Sequence, residues 1–287
     1  MDKIILLARA KLNLSLDITG LREDGYHLMD MVMQSVSLSD CVTLEKSDTL
    51  SPDDFEYGES DTGYRAAKLF FDTTGVKGGV KVSIEKTIPS QAGMAGGSAD
   101  AAAVLVGLSR MYRTGLNRNE LCAMGVKIGA DVPFCLVGGT ARVGGIGEKI
   151  EPLPFFGQGH YLIVKPPFGV STPAAFKAFD SMPDCPRPDQ KRLIVAMERF
   201  DIAEMAAATE NVLERAAVLD TIGQIRRALI EHGAGMSLMT GSGSAVFGLY
   251  ERIEDAVKAA NMPEIRKLGE IFVCSPAPEG VTVAMEN

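Results

Sequence analysis

A two-domain α+β chain is predicted by three features of the sequence: period-2 apolar alternation ahead of a glycine-rich strand-to-helix junction in the first half, a Pro/Gly-interrupted stretch near 152–159, and a β-α-β-β-α-β order of patterns in the second half. Leu12, Leu14, Leu16 and Ile18 alternate with Lys11, Asn13, Ser15 and Asp17, so one sheet face is apolar and Lys11 shares the other with Asn13. After a turn at 20–25, strands are predicted over 29–37 and 41–46, then a polar loop over 47–61 and a helix over 63–71. Val80, Val82 and Ile84 mark a further strand that runs into Pro89-Ser90-Gln91-Ala92-Gly93-Met94-Ala95-Gly96-Gly97-Ser98, and a helix from Ser98 extends to Tyr112. A helix over 118–128, a turn around Asp131 and short strands set off by glycine pairs at 138–139 and 144–145 complete the first half. Beyond the boundary come a strand at 161–165, helices over 173–180, 190–199, 202–217 and 221–232, strands at 236–240 and 245–250, a helix over 253–260 and a strand at 271–274. With the extra helices set aside this is the split arrangement of a ferredoxin-like domain, which divides the chain into 1–155 and 156–287.

Composition bounds the function. The 287 residues are 46% hydrophobic and 23% charged, which excludes a disordered or collagenous chain and allows a large core without staples. A net charge of −8 disfavours nucleic acid and anionic lipid as partners, so any anionic ligand is captured locally. Five scattered cysteines with no CxxC pair suit a reducing cytoplasm, and three histidines with no HxxxH spacing leave no dedicated metal site expected. No signal-peptide pattern and no membrane-length apolar run is seen, so a cytoplasmic protein with no membrane partner is expected.

The loop 93–98 carries the strongest chemistry. Joined to a helix start, it offers backbone N–H groups and a positive dipole end to a phosphate; Gly93, Gly96 and Gly97 permit close approach and positive φ, and Ser98 can cap the helix or reach an oxygen. The plainer reading is a tight strand-to-helix turn, and the Walker A and dinucleotide patterns are absent. Taken singly, Lys11 reads more readily as a solvent-facing strand residue, Asp131 in Gly129-Ala130-Asp131-Val132-Pro133 as a turn or cap, Thr240-Gly241-Ser242-Gly243-Ser244 as a hairpin turn, and Tyr26-His27 as turn-exit residues.

Taken together, Ala10-Lys11-Leu12-Asn13-Leu14 with Asp24-Gly25-Tyr26-His27, Ile88-Pro89 to Ala102, Gly129 to Phe134, Gly145 to Glu148 and Thr240 to Gly248 resemble the GHMP kinase superfamily over most of the chain. Lys-x-Asn, Gly-Tyr-His and Gly-Ala-Asp-Val-Pro-Phe narrow the resemblance to the branch acting on 4-diphosphocytidyl-2-C-methyl-D-erythritol (CDP-ME) in the non-mevalonate isoprenoid pathway. The resemblance implies an N-terminal ribosomal-S5-domain-2-like α/β domain and a C-terminal ferredoxin-like domain, with ATP and CDP-ME as ligands and Mg²⁺ arriving with ATP. It places ATP phosphates on Pro89 to Ala99, makes Lys11 and Asp131 the catalytic pair, and sets the cytosine between aromatic rings supplied by Tyr26 and His27 on one side and Phe176 on the other, with Asn13 nearby. A monomer or weak homodimer is expected. The loop has Ala95 and Ala99 where that family commonly has glycine and serine, and Asp61-Thr62-Gly63 lacks its adenine-contacting Asn. Other readings are a small-molecule kinase of the same superfamily for mevalonate or homoserine, and a non-catalytic nucleotide-binding relative.

Overall fold

The computed structural model describes residues 1–182, 185–216 and 220–286. Lys3–Leu21 (β1) and His27–Ser47 (β2) form a long antiparallel hairpin. Its even positions Ile4, Leu6, Ala8, Ala10, Leu12, Leu14, Leu16 and Ile18 are all buried, as strand alternation requires. The two strands expected over 29–37 and 41–46 are one, because its halves have different neighbours: Cys41–Ser47 pairs with Gly79–Glu85 (β3), and Met29–Gln34 pairs with Thr140–Gly145 (β4).

Thr62–Thr74 (α1) runs past both expected ends, capped by Asp61, whose Oδ1 accepts from Gly63 N at 2.8 Å, and stopped by Gly75 at φ 66°. Gly96–Met111 (α2) lies on β1 and β2, and a Cβ added at Gly107 would sit 2.4 Å from Leu44 Cδ1 and 2.9 Å from Leu6 Cδ1, so a larger residue there would have to displace both side chains. Arg118–Ile128 (α3) matches the expected helix and opens with an Asn117/Glu120 capping box. Where only a turn was expected, Val132–Val137 forms a short helix (α4), followed by β4 and Lys149–Pro152 (β5).

The second sheet has the order β7-β8-β6-β9, built from His160–Lys165 (β6), Met236–Met239 (β7), Val246–Tyr250 (β8) and Glu270–Cys274 (β9). That is the strand order of a split βαββαβ unit. Thr172–Asp180 (α5), Gln190–Glu198 (α6), Ile202–Ala208 (α7), Val212–Ala216 (α8) and Asp220–Glu231 (α9) follow β6, and Ile253–Ala260 (α10) and Pro263–Arg266 (α11) precede β9. The helix expected over 202–217 is broken: the Thr209 hydroxyl bonds Leu14 O, Asn211 bonds Met239 O and Gly241 O, and position 217 lies outside the described residues. The expected 156–287 unit also yields its last strand. Val281–Glu286 (β10) pairs antiparallel with β1, placing Ile4 opposite Glu286, so the first sheet has the order β10-β1-β2-β4-β5 with β3 on β2.

The polar face of β1 is buried against the second half. Leu16 N donates to Glu210 O at 2.9 Å, Asn13 N to Thr240 Oγ1 at 3.0 Å, and Ser15 Oγ meets Gln190 Oε1. Lys11, Asn13 and Ser15 therefore lie in a seam and not at the surface. All five cysteines are free thiols, and among the described residues no helix is long and apolar enough to cross a membrane.

Candidate active site

Strand β1 breaks register between Arg9 and Lys11, and such a bulge re-aims the side chain beside it. Lys11 points into the seam, only 4% exposed, with Nζ donating to Asn13 Oδ1 at 2.6 Å and lying 3.8 Å from Asp131 Oδ2. The two residues, 120 positions apart in the chain, are thus neighbours. Asp131 occupies the N-cap of α4, yet its carboxylate makes no capping bond. A capping residue is normally extended, whereas Asp131 is in the αR region (φ −85°, ψ −13°) and Pro133 at the second helical position has no N–H to offer. The carboxylate is left free to face the cleft and Lys11.

The loop from β3 to α2 wraps the same cleft. Ala95 is the N-cap with no side-chain cap bond, so the first N–H groups of α2, a helix of 16 residues, open toward the cavity that Gly96 and Gly97 line. Positive φ is carried by Gly93 (73°) but otherwise by Gln91 (50°) and Ala95 (59°); Gly96 and Gly97 are ordinary helical residues, and Ser98 is not the cap. Pro89 to Gly97 line the cavity, whereas Ser98 faces Gly129 and Ala99 is wholly buried in the core, so these two expected ligand residues are not brought to it. Left-handed alanine costs about 1 kcal/mol, so Ala95→Gly is expected to raise stability by about that much. A urea midpoint that stays put or falls would contradict this.

The second glycine segment is seated on the first. Ser244 N and Ala245 N donate to Gln91 O and Ala92 O, both at 3.2 Å, and Thr240 Oγ1 donates to Gly93 O at 3.2 Å. A Cβ at Gly93 would stand 2.0 Å from Thr240 O, and one at Gly241 would stand 3.2 Å from Lys11 Nζ. Thr240–Ser244 is therefore a wall of the site and more than a hairpin turn.

At the far end of the cleft, His27 and Phe176 stack with ring centroids 4.7 Å apart and planes 26° apart, while Tyr26 is 60% exposed beside them. A base sandwiched between two rings needs about 7 Å, twice the contact spacing, so no base fits between His27 and Phe176. Lys11, Asn13, Asp131, the 89–97 loop and these three rings line a single cavity of about 1580 Å³. Single-ligand pockets are about 300–1,000 Å³, so this one has room for two sizeable ligands.

Residues 61–139 match the GHMP kinases N terminal domain and 193–264 the GHMP kinases C terminal domain. A 4-diphosphocytidyl-2-C-methyl-D-erythritol kinase from Caldicellulosiruptor saccharolyticus is 44% identical over 90% of this chain and 92% of its own, and one from Clostridium tetani is 42% identical over 93% and 97%. The chain belongs to the 4-diphosphocytidyl-2-C-methyl-D-erythritol kinase family. A crystal structure of a 4-(cytidine 5'-diphospho)-2C-methyl-D-erythritol kinase, 33% identical, superposes with TM-score 0.82 over 95% of this chain and 99% of that one. Homoserine kinase from Cytophaga hutchinsonii, with TM-score 0.78 at 18% identity over 99% and 98%, shares the fold.

This CDP-ME kinase family member also carries a charged cluster that the sequence did not disclose. Lys86 Nζ donates to Asp40 Oδ2 and Asp100 Oδ2, both at 2.5 Å, at the mouth of the 89–97 loop. Asp40 Oδ1 accepts from Thr87 N and Ile88 N, but Asp100 Oδ1 is buried without a partner. Burial, opposed by Lys86 and aided by Asp40, pushes the Asp100 carboxyl up to about 7. Burial pulls the Lys86 ammonium down, but the two carboxylates more than offset it and hold it above its ordinary value. A carboxyl whose pKa is higher folded than unfolded stabilises the fold while protonated, and that contribution is lost as pH rises toward 7. Relative to wild type, Asp100→Asn is expected to gain stability between about pH 4 and pH 7 and to level off above; a pH-independent difference in urea titrations would contradict this.

Proposed function

We infer that the protein transfers the γ-phosphoryl group of ATP to the 2-hydroxyl of CDP-ME, giving the 2-phosphate and ADP, in the non-mevalonate isoprenoid pathway. The observation that carries the reading is the Lys11–Asp131 pair, 3.8 Å apart, on a cavity that also holds an open helix N-terminus and the Tyr26–His27–Phe176 ring cluster. Phosphoryl transfer asks chiefly for alignment and charge neutralisation. In this assignment the N–H groups of the 89–97 loop hold the ATP phosphates, Asp131 Oδ2 orients the substrate hydroxyl and accepts its proton, and the Lys11 ammonium offsets charge on that carboxylate and on the transferring group. Tyr26, His27 and Phe176 hold the cytosine, and Asn13 sets Lys11.

Mg²⁺ enters as Mg-ATP and lowers the charge of the phosphates. A hard octahedral ion that keeps water and phosphate ligands suits this cleft, in which, among the described residues, no group of three His, Cys, Asp or Glu converges. Five free thiols accord with the reducing cytoplasm we assign to it, as a monomer or weak homodimer.

ADP release with Mg-ATP and CDP-ME, run beside mevalonate and homoserine, tests the reading. Turnover that requires CDP-ME is expected; turnover only with another acceptor keeps the kinase and overturns the substrate, and binding of ATP without any turnover favours a silent relative.

A further inference from the structure

The 89–97 loop is clasped at its base by three charged residues. Lys86 follows β3, Asp40 lies in β2 and Asp100 stands in the second turn of α2, so one ammonium ties the strand before the loop to the helix after it. A single positive charge serves two carboxylates, and the cluster is negative when both are ionised. The sharing is unequal: Asp40 Oδ1 accepts from Thr87 N at 2.6 Å and Ile88 N at 2.8 Å, whereas Asp100 Oδ1 is enclosed without a donor. Burial without a donor penalises the charged form of a carboxyl, so Asp100 is the member that takes a proton. Lys86 and Asp40 are the charged groups that face it. Around the rest of α2, Cys135 of α4 is a thiol pushed up by burial, Lys11 of β1 is engaged by Asn13 and Asp131, Arg65 of α1 reaches Lys127 O of α3, and Glu286 of β10 pairs with Arg110. The cluster also stands where an anion goes: Lys86 Nζ lies 3.6 Å from the place a Cβ would take on Gly96, the first residue of α2, and Lys86, Asp100, Gly96 and Gly97 line one cavity.

We propose that Asp100 takes up a proton when the nucleotide phosphates bind, so that affinity for Mg-ATP falls as pH rises through neutrality. This rests on the phosphate-loop assignment above. Phosphates at the first N–H groups of α2 stand beside a cluster that is already negative, and like charge favours the neutral acid. The proton comes from solvent and goes to the Asp100 carboxylate; Lys86 keeps its bond to Asp40, and its charge is then shared with the phosphates and no longer with a second carboxylate. Burial already holds this carboxyl at about 7, so a small further push carries it across neutrality. A ligand that raises the pKa of a carboxyl binds best below the value in the free protein, and less well above it until the bound form has lost its proton too. Asp100 acts on the nucleotide through Lys86 and is a positioning residue.

Isothermal titration calorimetry of Mg-ATP without acceptor, in two buffers of different ionisation enthalpy, counts the protons. ATP bound to Mg²⁺ has no group of its own that titrates near neutrality, so any uptake belongs to the protein. At about pH 7.5 wild type is expected to take up about half a proton per nucleotide, and its Kd to rise about fivefold from about pH 6.5 to about pH 8.5. Asp100→Asn, neutral at every pH, is expected to take up none and to hold a Kd close to that of wild type at the acid end. A merely structural role would shift Kd alike at all pH values and leave the uptake unchanged. If wild type binds Mg-ATP without proton uptake, or the variant takes up as much as wild type, the inference fails and the phosphate assignment stands; if wild type does not bind Mg-ATP, both fail. Should the variant not fold, infrared difference spectra of the wild type decide. Nucleotide binding should add the C=O band of a protonated carboxylic acid, and its absence overturns the proposal.

Discussion

Asp131→Asn is expected to lower kcat about 10³-fold while leaving the KM for ATP within a few-fold, because the amide keeps the shape of the carboxylate but cannot take the hydroxyl proton. The geometry explains why so much rests on one residue. The carboxylate takes no capping donor from α4, and Lys11 at 3.8 Å is its ion partner, so the group is held in the cleft by charge and not tied into the helix. A variant whose kcat falls less than about tenfold would remove Asp131 from the proton-accepting role. Since α4 loses no cap bond, the thermal midpoint should barely change.

The second large effect is expected at Lys11. Lys11→Met preserves the length of the side chain in a site that is 4% exposed, yet it removes the ammonium from the Asp131 carboxylate and the phosphates, and kcat should fall about 10²- to 10³-fold. Stability should fall by about 1–3 kcal/mol, because the wholly buried Asn13 Oδ1 loses its donor and Asp131 its ion partner. Combining both substitutions should cost little more activity than Asp131→Asn alone, since two members of one constellation act as a unit. Additive losses in the double variant would mean that Lys11 and Asp131 serve separate steps.

Much of this site was legible in the sequence, but unevenly. The alternation along β1 placed Lys11 and Asn13 on one face, and the glycines at 93–97 marked a helix start whose first N–H groups are left uncapped by a side chain. What pattern reading could not supply was the approach of Lys11 to Asp131 across 120 residues, which only the family resemblance suggested. Asp40 shows why the β2 boundary was misplaced: aspartate is rare inside strands, so Leu38-Ser39-Asp40 read as a break. In the fold that carboxylate is wholly buried and spent on Lys86, Thr87 N and Ile88 N, partners more than 40 residues away. Thr209 and Asn211 broke an expected helix for the same reason, their polar groups being committed to distant backbone.

The return of β10 to β1 has a consequence for biosynthesis. Ile4 pairs with Glu286 and Ala8 with Val281, so one flank of β1 waits for β10, more than 270 residues later. Until residues 281–286 leave the ribosome, that flank presents unpaired N–H and C=O groups on a strand whose alternate residues are Ile4, Leu6 and Ala8, the kind of edge that recruits a foreign strand. Loop closure across almost the whole chain is also slow. A nascent chain stalled just short of residue 281 should therefore bind holdase chaperones and aggregate on release, whereas a chain that includes β10 covers that flank.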